Sequence, residues 1–121
     1  MTRRPSRRSV PLAFTCGDPA GVGPEIIAEW LRRNRRAARD VAVIGPARWL
    51  AQLDTTAAKV PVGPARFAAR PGRPGAEGAR VAWAAMERAA AGCLAGEFSG
   101  VVTGPVSKAE LARVGYEFPG Q

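Results

Sequence analysis

Pro11-Leu12-Ala13-Phe14-Thr15-Cys16-Gly17-Asp18-Pro19-Ala20-Gly21-Val22-Gly23-Pro24-Glu25-Ile26-Ile27-Ala28-Glu29-Trp30-Leu31 decides the fold. A short apolar run, residues 11–16, is followed by a loop with three glycines. The loop gives way to a segment with apolar residues at 26, 27, 30 and 31. That spacing places them on one side of a helix. Pro24 suits the first helical position, and Glu25 suits the first turn. The stretch therefore reads as strand, glycine loop, helix. In α/β proteins that junction lies at the carboxyl edge of the sheet, where ligands bind.

The same grammar recurs along the chain. Val41-Ala42-Val43-Ile44 is β-branched and short, as a central strand should be. Gly45-Pro46 ends it and opens a short helix through Leu53. Residues 55–78 are rich in Pro, Gly and Ala and read as an irregular connection with one edge strand near Ala65–Ala69. Ala79 to Ala95 is a helix by the spacing of Ala82, Met86, Ala89 and Cys93, and Gly96 stops it. Gly100-Val101-Val102-Thr103 reads as a third buried strand, and Ser107 to Val114 as a last short helix. The alternation predicts an α/β fold with a parallel or mixed sheet and flanking helices.

Composition narrows the chemistry. The chain has 121 residues, 46% apolar and 23% charged, which suits one globular domain. No apolar run approaches the ~18 residues of a membrane span. The basic start lacks an apolar secretory core, so a cytoplasmic location is expected. There is no histidine. Histidine-based acid–base catalysis and a Cys/His zinc site therefore cannot be built from this chain alone. Cys16 and Cys93 have no partner pattern and are expected to stay reduced.

The net charge is +8, and only two of the 18 basic residues are lysines, Lys59 and Lys108. Arginines cluster at residues 3–8 and 32–39. The alternative they raise is a small basic nucleic-acid-binding module. No aromatic residues interleave with them to stack bases, so a disordered basic arm over 1–10 and cations at a helix C-terminus read better.

Two loops carry the chemical signal. In the first, glycines at 17, 21 and 23 match neither the dinucleotide fingerprint nor a P-loop. Asp18 and Glu25 flank the helix start and would repel a phosphate there. Either Asp18 caps backbone amides in a structural turn, or the loop presents Asp18 and Glu25 to a site. Close backbone approach at Gly21 and Gly23 is a further use. The second loop is Thr103-Gly104-Pro105-Val106-Ser107-Lys108. Thr103 ends a strand, and Lys108 follows by about one helical turn, where it could reach an anionic ligand. Both loops follow strands of a parallel sheet, so both are expected on one edge.

Gly-Asp-Pro-Ala-Gly-Val-Gly-Pro-Glu at 17–25, Val-Val-Thr-Gly-Pro-Val-Ser-Lys at 101–108 and Gly-Tyr-Glu-Phe-Pro-Gly at 115–120 together resemble the 4-hydroxythreonine-4-phosphate dehydrogenase family. The resemblance covers residues 11–121 and only the amino-terminal part of the longer family chain. It implies a two-lobed fold similar to isocitrate and isopropylmalate dehydrogenases, working as a homodimer. It implies NAD or NADP as oxidant and a small phosphorylated hydroxy acid as substrate, oxidised and decarboxylated on the way to pyridoxal phosphate. It also implies a divalent metal (Zn, Mg or Co) held by three histidines that lie later in the family sequence, so that no metal ligand falls in this chain and this segment is inactive alone. Where the family continues Pro-Gly-His-Thr-Glu, this sequence has Pro119-Gly120-Gln121. Gln121 thus stands at a substrate-contact position, and threonate or erythronate 4-phosphate becomes the alternative substrate. Thr103 and Lys108 are the other candidate substrate contacts. A degenerate, inactive fragment is a third reading.

Overall fold

A computed structural model describes residues 10–116. Four parallel strands form one sheet in the order β3-β2-β1-β4: β1 (Leu12–Thr15), β2 (Val41–Gly45), β3 (Ala58–Pro61) and β4 (Val101–Thr103). β1 lies between β2 and β4, with Phe14 opposite Val43 on one side and Val102 on the other. Helix α1 (Gly23–Arg33) joins β1 to β2, and α2 (Ala47–Gln52) joins β2 to β3. Helix α3 (Ala76–Leu94) carries the chain back to β4, and α4 (Lys108–Arg113) follows.

Two apolar layers sandwich the sheet. Phe14, Val41 and Val43 pack with Ile27 and Leu31 of α1 and Leu50 of α2. Ala13, Ala42 and Ile44 face the other way and pack with Val81, Ala85 and Ala89 of α3. Neighbouring strand residues point to opposite faces, so both sides of β2 are buried, as its unbroken apolar run requires. The chain steps from β1 toward β3 with its helices on one face, then returns with α3 on the other. Right-handed crossovers produce this division.

Each element has a local cause. α1 starts on Gly23-Pro24 with Glu25 in its first turn and ends with Arg32 and Arg33 in its last turn, charges that complement the helix dipole. Burial of Ile27 and Leu31 contributes about 1.5–3 kcal/mol each to docking it. α4 is capped by the Ser107 hydroxyl, which accepts from the Glu110 amide at 3.3 Å. α3 ends where Gly96 takes φ +79°, with its amide donating to the Cys93 carbonyl.

Four sequence expectations are corrected. The edge strand is Ala58–Pro61, in register with Ala42–Gly45, and not the stretch near Ala65–Ala69. The Phe67 amide donates to the Pro64 carbonyl in a turn, and the Phe67 ring enters the core. Lys59 and Pro61 hide the true strand from a hydrophobicity reading, yet both suit a sheet edge. Second, β4 is exposed, with Val101 and Val102 at 38% and 51% accessibility, because it is the other edge. Third, Ile26 lies off the core face of α1, at 57% exposure. Fourth, the buried stripe of α3 runs through Gly78, Ala82, Ala85, Ala89 and Gly92, while Met86 and Cys93 are only half-buried. The expected arm over 1–10 lies almost wholly outside the described residues.

Candidate functional site

β1 is the topological switch point: successive connections leave it toward β2 and return beside it at β4. Ligand crevices of open α/β sheets form at that point, beyond the carboxyl ends of the strands. Here the two glycine loops meet there and close it with backbone. The Gly104 amide donates to the Thr15 carbonyl at 2.9 Å, and the Asp18 amide donates to the Pro105 carbonyl at 2.8 Å.

Only glycine permits this approach at three positions. A Cβ on Gly104 would lie 2.6 Å from the Cys16 carbonyl oxygen and 2.8 Å from the Gly17 nitrogen. Gly17 has φ +68°, and its Cβ would enter the Gly104–Pro105 backbone. A Cβ on Gly23 would collide with the Cys16 carbonyl. Gly21, by contrast, has only ordinary contact distances, 3.4 Å and beyond. The expectation of close packing therefore holds for Gly23 and not for Gly21, and Gly17 and Gly104 carry the rest of it.

Asp18 is buried, and its carboxylate accepts from the Ala20 amide at 2.9 Å. This is an Asx turn inside the loop. The helix itself begins after Val22, with no side-chain cap. The loop is braced further by the Gly72 amide, which donates to the Ala20 carbonyl at 2.9 Å. The first turn of α3 also packs on it, leaving a Cβ on Gly78 just 3.6 Å from Pro19. Beside Asp18, the Cys16 thiol is pushed up to about 12, chiefly by burial and further by the Asp18 charge. Cys16 is thus an inert packing residue.

Glu25 is exposed and faces a cleft of about 420 Å³ at the carboxyl ends of β1 and β2. Pro24, Pro46, Arg48, Trp49 and Phe67 form much of its wall. Its size falls in the range of small-molecule sites. The cleft contains one carboxylate, one guanidinium and a half-buried indole among apolar surfaces. Sequence reasoning missed Arg48 and Trp49, which belong to no recognisable motif and reach the cleft only because α2 starts immediately after β2.

Neither Thr103 nor Lys108 lines that cleft. Thr103 ends β4 and borders a separate groove with Ile26 and Pro105. Lys108 is the exposed first residue of α4. The structure thus brings the two loops together, with Glu25 and Thr103 bordering different grooves. Gln121 lies outside the described residues. Among the described residues, no group of three His, Cys, Asp or Glu side chains is placed to hold a metal ion.

The arginine cluster is partly neutralised in place. Glu29 accepts from both Arg32 and Arg33, at 2.6 Å each, and these bonds lower its pKa to about 2. Arg35 lies 3.6 Å from Asp54. The cluster is at the amino edge of the sheet, away from both loops.

A single parallel sheet with helices on both faces and a glycine-closed switch point defines an α/β protein of the isocitrate dehydrogenase-like fold. The family model for pyridoxal phosphate biosynthetic protein PdxA matches residues 20–121. The chain belongs to the PdxA family. It is 39% identical, over 92% of its length, to the 4-hydroxythreonine-4-phosphate dehydrogenase of Zymomonas mobilis, and covers 38% of that protein. It is 34% identical to the enzyme of the same name from Bradyrhizobium diazoefficiens, over 91% of this chain and 41% of the relative. The crystal structure of the Klebsiella pneumoniae 4-hydroxythreonine-4-phosphate dehydrogenase superposes with a TM-score of 0.76 at 28% identity, over 93% of this chain and 42% of that one. The chain spans about two fifths of the length of the curated relatives it matches. No helix among the described residues is long and apolar enough to cross a membrane.

Proposed function

We propose that this chain supplies the amino-terminal α/β portion of an NAD(P)-dependent dehydrogenase acting on 4-hydroxythreonine 4-phosphate in pyridoxal phosphate biosynthesis. The observation that carries the reading is the junction of the two loops, 17–25 and 103–108, at the sheet's switch point. Two of the three family motifs occur there, and the backbone bonds between Thr15 and Gly104 and between Asp18 and Pro105 hold them together.

The roles follow from the chemistry of the side chains. Lys108, an exposed cation, would attract the substrate phosphate, with the Thr103 hydroxyl at the adjoining strand end and Gln121 as a further contact. Glu25 can accept hydrogen bonds from hydroxyls in the 420 Å³ cleft, and Trp49 offers a ring face there. That cleft suits part of a nicotinamide cofactor, which supplies hydride acceptance when bound. The buried Asp18 orients the loop rather than the reactant. The described residues do not fit a catalytic metal, and the sequence has no histidine to hold one. The family resemblance assigns the metal ligands to histidines later in the family sequence, and we expect the segment to be inactive alone. The glutamine at 121, in place of the family's histidine, favours threonate or erythronate 4-phosphate as the alternative substrate, since it cannot carry a proton's charge.

The test is a chimera in which this chain replaces the matched amino-terminal segment of the Zymomonas mobilis enzyme. With NAD, a divalent metal and 4-hydroxythreonine 4-phosphate it should form NADH, while the 121-residue chain alone should not. A folded chimera that oxidises none of the three phosphorylated acids would overturn the reading.

A further inference from the structure

The arginines that follow α1 line a second polar cavity, at the end of the sheet opposite the two loops. Arg35, Arg36 and Arg39 border a cavity of about 290 Å³ together with Thr55 and Thr56. The same three arginines border a wider bowl of about 780 Å³, whose rim adds Arg33 and Asn34. β2 starts at Val41 and β3 at Ala58, so both groups stand at the amino ends of adjacent strands. The five residues of β2, about 16 Å of strand, separate them from the carboxyl-edge cleft.

Local structure holds these side chains in place. The Asn34 side-chain amide donates to the Trp30 carbonyl at 2.9 Å, where α1 ends. The Ala38 amide donates to the Asn34 carbonyl, and Ala38 is fully buried, which pins a 3-10 turn over Ala37–Asp40. Its first bond runs from the Arg39 amide to the Arg36 carbonyl at 3.3 Å. Residues three apart eclipse in such a turn, so Arg36 and Arg39 project on one side. Across the cavity, buried Leu53 and Ala57 anchor the connection from α2 to β3. The Thr55 hydroxyl accepts from the Ala57 amide at 3.1 Å, which leaves its own proton to donate.

The protein does not balance the charge it gathers here. Arg32 and Arg33 share Glu29, and Arg88 and Arg113 have carboxylates of their own. Among the described residues Arg36 and Arg39 form no ion pair, and Arg35 reaches only Asp54, at 3.6 Å between two well-exposed side chains. Asp40 is the one carboxylate on the bowl. Like charges one turn apart repel, and an anion seated among them relieves that repulsion. Guanidinium groups pair with phosphate oxygens in a bidentate fork, and hydroxyls add donors. The smaller cavity accommodates one phosphate group, and the bowl that shares its arginines accommodates the next. No aromatic ring borders either cavity, so bases find no stacking platform.

We infer that Arg35, Arg36 and Arg39, with Thr55 and Thr56, form a binding site for an oligophosphate, two or more linked phosphate groups, free or carried by a nucleotide. The site is separate from the loops that carry the proposed reaction.

Calorimetric titration of the 121-residue chain at low salt tests it, with tripolyphosphate, orthophosphate, magnesium-free ATP and a single-stranded RNA as titrants. Tripolyphosphate should bind about tenfold or more tighter than orthophosphate. Arg36→Gln/Arg39→Gln should weaken it by about tenfold or more, since two charge-assisted contacts are lost. Arg66→Gln/Arg80→Gln removes the same charge elsewhere and should change it by less than about twofold. All four arginines are exposed, and circular dichroism verifies that both variants keep the fold. ATP binding no tighter than tripolyphosphate makes the phosphate chain alone the recognised group. Tighter ATP, equally sensitive to the Arg36 and Arg39 changes, makes a nucleotide its source, and either result sustains the site. Equal weakening by the two double variants overturns it, because net charge then drives binding. Binding that neither variant weakens also overturns it, since other arginines then hold the ligand. So does no binding, or orthophosphate as tight as tripolyphosphate. RNA that binds tighter per phosphate through the same arginines overturns it in favour of nucleic acid. The titrations use neither NAD nor a phosphorylated acid, so their failure leaves the proposed reaction standing.

Discussion

Gly104→Ala isolates the contact that closes the switch point. The position is buried and has no positive φ, so alanine meets no backbone penalty. In an unobstructed site the change would stabilise by about 0.4–1 kcal/mol through the unfolded chain. Here the new methyl would lie 2.6 Å from the Cys16 oxygen, 2.7 Å from its carbonyl carbon and 2.8 Å from the Gly17 nitrogen. All three are backbone atoms, so no rotamer change relieves the overlap. Overpacking costs typically 1–3 kcal/mol. Separating the loops would also weaken the bonds at 2.9 Å and 2.8 Å that join them, about 1 kcal/mol each. We expect a net loss of about 3–4 kcal/mol, or a fall in Tm of roughly 10–15 °C for a chain of this size. Gly21→Ala, in the same loop but with contacts no closer than 3.4 Å, should stay within about 1 kcal/mol of wild type. Urea titration and thermal melts followed by circular dichroism measure both. Equal stability of the two variants would refute the packing argument.

Other consequences are as specific. At Gly92, a Cβ would strike the Phe98 ring, which is 5% exposed and sits under Arg88. Gly92→Ala should therefore destabilise by about 1–3 kcal/mol despite the better helix propensity of alanine. Phe98→Leu should recover part of the loss in a double-mutant cycle. Under native conditions at pH 8 a disulfide reagent should modify Cys93 and spare Cys16, read by mass spectrometry of the labelled peptides. The Cys16 thiol titrates near 12 in the fold against an ordinary value of 9.0. The folded state then holds its proton while the unfolded state loses it. Cys16 thus adds a fall in stability between pH 9 and 12 that Cys16→Ala should remove, as measured by urea midpoints across that range. Glu29 lies at the surface with its side chain 45% exposed, so Glu29→Gln should leave Tm unchanged within error although it frees two arginines.

The strand–loop–helix order was legible because each central strand is a short apolar run and each loop is marked by glycine or proline. β1, β2, α1 and α3 are of this kind. β3 was not legible, because an edge strand needs no apolar alternation and Pro61 argues against it locally. Only pairing with Ala42–Gly45 reveals it. The exposure of β4 was hidden for the opposite reason: Val101-Val102 reads as buried whether or not a neighbour is present. The two loops could be placed on one edge from parallel topology alone. Their contact through Gly17 and Gly104 depends on distances between residues far apart in the sequence, which no local pattern carries. Arg48 and Trp49 entered the cleft unannounced for the same reason.

The claim that the joined loops form the ligand-facing edge of an enzyme is tested most directly by steady-state kinetics of the Zymomonas chimera carrying Lys108→Met or Glu25→Gln. Lys108→Met should raise KM for the phosphorylated substrate at least tenfold, and Glu25→Gln should lower kcat/KM for NAD by a similar factor. Arg36→Ala, at the opposite end of the sheet, should change neither. Values within twofold of the parent chimera for both loop variants would contradict the assignment.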